Sequence, residues 1–220
     1  MKDPARRLAA PAWAAALLTL SAQVASADTR PLDAADLERL QRGETVVREQ
    51  TLSSDGDDDR RFVGGLAYAV LDAAPEDVGA LFSDAAAYTQ LLPRTRSAVR
   101  ISGTAGDQRI QLIQGTALVS LSYVVHVRDY PREGTVRFWL DAGYPHGIDD
   151  AWGFVRAERW PSAAGRTKTL VSYGVLVELG PGIVRAMYED KLRAAMLSVP
   201  ARLRSYVAAG SKEADQGAPR

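Results

Sequence analysis

Residues 69–101 read AVLDAAPEDVGALFSDAAAYTQLLPRTRSAVRI, and this stretch decides the fold. Val70 and Leu71 end an apolar run that begins at Val63 and contains Gly64 and Gly65; its length and punctuation read as a strand. Ala73-Ala74-Pro75 closes it. Pro75 suits the first turn of a helix, where its missing N–H costs nothing, and Glu76 and Asp77 complement the positive end of the helix dipole. Val78, Leu81 and Phe82 then fall at i, i+3 and i+4, on one face of an amphipathic helix. Asp84 is placed to cap a second short helix carrying Tyr88, Leu91 and Leu92, which Pro93 stops.

Downstream lies a series of strand-like runs at residues 97–103, 109–114, 118–130, 135–141, 152–159 and 168–178. The longest alternates: Val119, Leu121, Tyr123, Val125 and Val127 share one face. Glycine-bearing turns at 103–106, 131–134, 143–147 and 165 separate the runs, and short turns imply antiparallel pairing. From 183 to 207 the apolar residues Val184, Met187, Leu192, Ala195, Val199 and Leu203 take helical spacing. That predicts one long helix of about 25 residues, roughly 37 Å, kinked at Pro200. Upstream, Leu32, Leu37 and Leu40 suit a short helix with Asp33 as N-cap and Gly43 past its end, followed by a strand near 45–51.

The order is therefore strand, two short helices, an antiparallel meander and one long helix. Helices segregated from an antiparallel sheet define an α+β domain. A single long helix lying across the sheet cannot fill its concavity, and the remainder is available as a cavity.

At this point the chain resembles the START-like superfamily (SRPBCC, Bet v 1-like), in its bacterial polyketide cyclase/dehydrase and coenzyme-Q-binding branch. The residues that carry the resemblance are Ala74-Pro75, Val78, Asp84, Tyr88 and Leu92-Pro93, together with the element order from Val63 to Val207. Where that family often has a Trp after the helical Val, this chain has Gly79 and Ala80. The resemblance implies a helix-grip fold, a curved antiparallel β-sheet gripping a long C-terminal α-helix, over residues 63–209. It also implies a hydrophobic ligand (lipid, sterol, quinone or polyketide-like) held between sheet and helix, with lipid transport as one use. Phasing by resemblance from the turn at 71–75 puts Leu71, Ala69 and Ala67 inward. The candidate lining is Leu71, Tyr123, Val125, Phe138, Trp152, Phe154, Tyr173, Val175 and Met187; for each of the aromatics, ordinary core packing is the competing reading.

Around this domain, residues 1–27 read as a secretory signal peptide. Lys2, Arg6 and Arg7 precede a stretch of mostly Ala and Leu, and Ala25-Ser26-Ala27 fits a cleavage site, with the cut after Ala27. Residues 28–62 form an N-terminal extension and 210–220 a polar, disordered tail. The expected location is periplasmic or secreted.

Composition excludes several functions. The chain has 220 residues, with 27 Lys+Arg against 27 Asp+Glu; removing the signal takes away three bases and one acid and leaves a net charge of −2. A nucleic-acid binder is expected to carry a basic excess. There is no cysteine, so no disulfide, thiolate metal site or Cys nucleophile. Two histidines are too few for a multi-histidine zinc site. Asp55, Asp57 and Asp59 alternate like the start of a calcium loop, but Arg60 and Leu66 occupy the positions that need Gly and Glu. Neither a phosphate-binding glycine loop nor a G-x-S-x-G nucleophile turn occurs. No metal or cofactor is expected.

Tyr144, His146 and Tyr173 are the weak catalytic candidates, able in principle to polarise a carbonyl or move a proton in a cyclase or dehydrase. His146 sits in GYPHGIDD, whose Gly and Pro also suit a plain loop. His126 alternates with Ser120, Ser122 and Arg128 on a polar face that reads as solvent-facing. The expectation is a monomeric binder of a hydrophobic small molecule, with transient membrane contact and no nucleic acid. The rival readings are the cyclase/dehydrase and an interaction module with a filled core.

Overall fold

The computed structural model describes residues 31–53, 60–116, 120–162, 167–178 and 183–216, with side chains described except over 183–188 and 211–216. The leader at 1–27, the aspartates at 55–59 and the side chain of Met187 lie outside these. The elements run α1 (Ala34–Gln41), β1 (Val46–Ser53), β2 (Arg61–Leu71), α2 (Pro75–Ser83), a 3₁₀ turn (Ala85–Ala87), α3 (Tyr88–Leu91), β3 (Thr95–Thr104), β4 (Asp107–Gly115), β5 (Ser120–Tyr130), a 3₁₀ turn (Pro131–Glu133), β6 (Thr135–Leu140), β7 (Asp150–Trp160), β8 (Lys168–Glu178), α4 (Ile183–Leu197) and α5 (Val199–Gln216).

The eight strands form one curved, open antiparallel sheet in the order β1-β2-β8-β7-β6-β5-β4-β3. Strands adjacent in sequence from β3 to β8 pair with one another. β2 closes onto β8 because α2 and α3 carry the chain from one end of the sheet to the other.

The local signals in the deciding stretch are realised. Pro75 opens α2, with Glu76 and Asp77 in its first turn. Asp84 Oδ1 accepts from Ala86 N at 3.0 Å and caps the following turn. Val78, Phe82, Ala87, Tyr88 and Leu91 are buried in the main core with Leu71, Ile110, Leu112, Val171 and Tyr173. At α1, Asp33 Oδ1 accepts from Asp36 N at 2.9 Å, and Gly43 takes φ 79° just past the helix, the left-handed turn that glycine makes at least cost.

The C-terminal helix departs from expectation in two ways. It is broken at Ser198 into α4 and α5, two residues before Pro200, and α5 continues to Gln216, past the start of the predicted tail. Pro200 has no N–H to give to Met196, and its ring presses on that turn, so the ladder opens ahead of it. Ser198 N then bonds Ala195 O at 3.2 Å, and Arg202 N restarts the helix on Ser198 O at 3.1 Å. Proline in the first turn of a new helix is tolerated.

α4 and α5 both lie against β2 and β8. Apolar contacts anchor the middle, where Leu197, Val199 and Leu203 join the core. Polar contacts hold the flanks: Arg61 forks onto Glu189 at 3.0 and 2.9 Å, and Arg204 bonds the Gly43 carbonyl and, at 2.5 Å, Thr45 Oγ1.

Asp150, the first residue of β7, offers a pH test. Burial raises its pKa, with Glu178 adding to the rise and Ala151 N and Arg60 opposing it. A carboxyl raised on folding is held in its charged form at a cost, and that cost grows as pH climbs through the folded value. Asp150→Asn keeps an acceptor for Ala151 N. We expect a small increase in Tm at pH 7 that vanishes near pH 3, read by thermal melts across that range; a decrease at pH 7 would show that the Arg60 contact dominates.

Candidate functional site

Strand registers determine which side chains face the helices. Ala67, Ala69 and Leu71 of β2 are in the core, and across the ladder they stand opposite Tyr173, Val171 and Thr169. Tyr173 pairs with Val155 and Val175 with Gly153. Phe138 pairs with Gly153 and Val127, and Val125 with Ile110. The helix-facing side therefore carries the odd residues of β2, β5, β7 and β8 and the even residues of β4 and β6.

Six of the nine candidate lining residues fall on this side: Leu71, Tyr123, Val125, Phe138, Tyr173 and Val175. Two do not. Trp152 pairs with Leu176 and Phe154 with Gly174, so both rings point away from the helices, and that expectation is corrected. The inward residues of β7 are the small ones, Ala151, Gly153, Val155 and Ala157. The reason is steric: a Cβ on Gly153 would run into the Phe138 ring and the Gly174 carbonyl. The Phe138 ring occupies that space and stacks on Tyr173, centroids 6.1 Å apart.

Three tyrosines come together on this side, and burial raises the pKa of each hydroxyl; Tyr173 is pushed further by Tyr123 and Tyr88. All three stay neutral phenols at any physiological pH. Their hydrogen bonding differs. Tyr88 Oη donates to Phe82 O at 2.8 Å. Tyr123 Oη donates to Gln114 Oε1, whose amide nitrogen in turn donates to Thr95 Oγ1 at 2.8 Å. The Tyr173 hydroxyl has no hydrogen-bond partner among the described residues, although the residue is only 4% exposed. A buried phenol usually finds a partner.

Gln108 is a second polar group on this side. Its amide nitrogen donates to Ser83 O at 2.8 Å, while its Oε1 is buried without a partner. Gln108, Gln114 and Tyr88 are contributors the sequence reading passed over. The signal for the two glutamines was the inward alternation of β4 through 108, 110, 112 and 114.

The other candidates lie apart. Tyr144 and His146 are in the β6–β7 loop, where Tyr144 N bonds Asp141 O at 3.1 Å and the exposed His146 places Nδ1 2.7 Å from Ile148 O. His126 is on the face away from the helices, as its alternation indicated, but it is not simply solvated. Its Nε2 lies 2.5 Å from Asp107 Oδ1, holding that carboxyl below its usual range, and its ring packs on Trp139 at 4.3 Å. Among the described residues, no three His, Cys, Asp or Glu side chains cluster to hold a metal ion.

No protein-family model and no curated protein matches the chain. Solved structures do. A STAR-related lipid transfer protein of Xanthomonas axonopodis covers 73% of this chain and 98% of its own, with 18% identity and a TM-score of 0.55. A Thermus thermophilus protein covers 66% and 97%, with 17% identity and a TM-score of 0.52. The Zhui aromatase/cyclase of Streptomyces covers 70% and 94%, with 15% identity and a TM-score of 0.51.

The chain has a START-like helix-grip fold.

In helix-grip terms, β2 and β8 are the strands under the long helix, and the tyrosine-bearing side is the gripping side. β1 pairs with β2 and forms the edge of the sheet beyond it. Gly79, one of the two residues after Val78 where the resemblance leads one to expect a Trp, adjoins open space: a Cβ there meets no heavy atom within 4 Å.

Proposed function

We propose that this chain binds one hydrophobic small molecule between the gripping side of the sheet and α4–α5, and that it does so outside the cytoplasm, after cleavage behind Ala27. The ligand classes that fit are lipid, sterol, quinone or polyketide-like, each an apolar body with few polar atoms. The observation that carries this reading is the Tyr173 hydroxyl, a neutral donor in apolar surroundings with no partner among the described residues. Such a group is suited to a ligand carbonyl or hydroxyl, because a few placed polar atoms orient a ligand in an otherwise apolar site. The fold supports the reading, since similar structures include a lipid transfer protein. Tyr144 and His146 do not join Tyr173 in the core cluster, so the arrangement supports binding more than turnover.

Native mass spectrometry of the full-length gene product, expressed with its leader and recovered from the producing cells, tests both parts. The expected result is a chain beginning at Asp28 with about one lipid-soluble molecule per chain. An intact leader overturns the export reading; a ligand-free mass, with no uptake from a lipid extract, overturns the binding reading.

Tyr173→Phe sharpens the test. It removes a hydroxyl that no described protein group uses, so Tm should stay within about 1 °C of wild type. Ligand affinity should fall about fivefold to tenfold, the worth of one neutral hydrogen bond. Loss of turnover on a polyketide-like substrate with binding intact would instead point to an enzyme.

A further inference from the structure

β3 stands at one end of the strand order, and its charge is one-sided. Residues 85–106 contain Arg94, Arg96 and Arg100 and no Asp or Glu, in a chain whose acids and bases balance overall. All three arginines are exposed. They form no ion pair among the described residues, where Arg39, Arg61, Arg109, Arg137 and Arg193 each hold a carboxylate. Among the described residues, the only side-chain bond of the three is from Arg96 to Thr116 O at 3.4 Å.

Beside them are two aliphatic side chains with no cover. Val99 is 52% exposed and Ile101 40%. Cations on an edge strand are a common guard against edge-to-edge pairing, but exposed Val and Ile work against that purpose. Cations with aliphatics at one edge fit a surface that is anionic outside and apolar just beneath. Val99 pairs with Gln111 and Arg100 with Ile110, so the two point to opposite faces. A flat partner meets both only by approaching the edge itself.

We propose that the β3 edge docks on anionic phospholipid, with Arg94, Arg96 and Arg100 on headgroup phosphates and Val99 and Ile101 entering the interface. This goes beyond the ligand-binding reading and does not require it. The net charge of the chain gives no general attraction to such a surface, so the local concentration of arginine is what selects it.

The test is co-sedimentation of the protein lacking residues 1–27 with phosphatidylcholine vesicles, with and without one third phosphatidylglycerol. At ~0.1 M salt we expect binding to the anionic vesicles only, lost at ~1 M salt, where charges are screened within ~3 Å. Arg94→Gln, Arg96→Gln and Arg100→Gln combined should weaken binding about 100-fold, the product of three headgroup contacts. Val99→Ser with Ile101→Ser should weaken it about tenfold and leave its salt dependence in place. A control with equal charge change, Arg132→Gln, Arg159→Gln and Arg202→Gln, should retain binding within about threefold.

Equal loss in the control, or no anionic preference in the wild type, overturns the proposal. So does binding of the β3 variant at wild-type strength, or capture of acidic protein partners without any vesicle binding. Uptake of a lipid extract added from ethanol, with no vesicles present, keeps the two readings apart: the β3 variants should take up ligand normally even where docking is abolished.

Discussion

Replacing Gly64 or Gly65 by alanine should cost about 3 kcal/mol or more each and lower Tm by about 8 °C or more. The two glycines lie inside β2 with φ of 156° and 142°, conformations that L side chains rarely adopt. Space is also lacking. A Cβ on Gly64 would strike the Val175 carbonyl of β8, and one on Gly65 the Arg48 carbonyl of β1. Both obstacles are backbone held in ladders on either side of β2, so neither can step aside without breaking strand pairs.

The same substitution elsewhere has the opposite sign. Gly79→Ala lies in helix α2 over open space, and alanine there should raise stability by about 0.5–1 kcal/mol through helix propensity and a less flexible unfolded chain. Thermal and urea melts of the three single variants decide the matter. Wild-type stability in both strand variants would show that β2 does not need its glycines.

Arg193→Ala should cost about 2–4 kcal/mol, roughly 5–12 °C in Tm for a chain of this size. Arg193 fastens α4 to the first strand of the sheet. Its Nη2 donates to Glu189 Oε1 at 2.5 Å and Thr51 Oγ1 at 3.0 Å, and its Nη1 to Glu49 at 3.2 Å and Asp190 at 3.4 Å. The side chain is 11% exposed and that of Glu189 15%, so water replaces little of what is lost. Removing the cation leaves Glu189 with Arg61 and strips the apolar stem of Arg193 from the surface it covers. Lysine at 193 should recover less than half, since one ammonium cannot fork to β1 and to Glu189 together. The exposed pair Arg156–Glu158 is the contrast: Glu158→Ala should cost no more than about 0.5 kcal/mol. Equal losses at the two sites would show that the α4 contact is merely another surface pair.

Much of the fold was legible in the chain. Punctuation by Pro75, Asp84 and Pro93 is local chemistry, since each acts on a neighbour within a turn, and the structure keeps every one of those boundaries. β8 was bounded at Lys168 and Glu178 from sequence and is found there. β2, β3, β4 and β7 reach a residue or two past the expected ends, where ladder pairing extends beyond the apolar run, whereas β5 starts two residues later than expected, at Ser120, and β6 ends one earlier, at Leu140. The helix break was legible in kind, because Pro200 must disturb a helix. Its position at Ser198 was not, since where the ladder opens depends on which carbonyls find other donors.

The candidate site was legible only in part. Alternation tells which residues of a strand share a face, and a one-residue change of phase inverts the choice. In β5 the apolar residues select the inward phase, so Tyr123 and Val125 were placed correctly. In β7 the large residues Trp152 and Phe154 alternate with small ones, and size alone suggests the wrong face. Phe138, from the neighbouring strand, takes the space over Gly153 and decides it. The strand partners of Arg193 (Glu49 and Thr51) and of Glu189 (Arg61) are likewise separated from them by long stretches of sequence, and the Tyr173 hydroxyl has no partner among the described residues.

By itself, then, the sequence determined the element order and the antiparallel meander, because periodicity, caps and turn residues act over a few positions; its resemblance to the START-like superfamily is what implied the helix-grip class. Tertiary structure alone decided which face of each strand meets the helices, which charges the helices share with β1 and β2, and which buried tyrosine hydroxyl has no hydrogen-bond partner among the described residues. Those outcomes depend on side chains brought together from distant parts of the chain, and they are settled only when the strands pair.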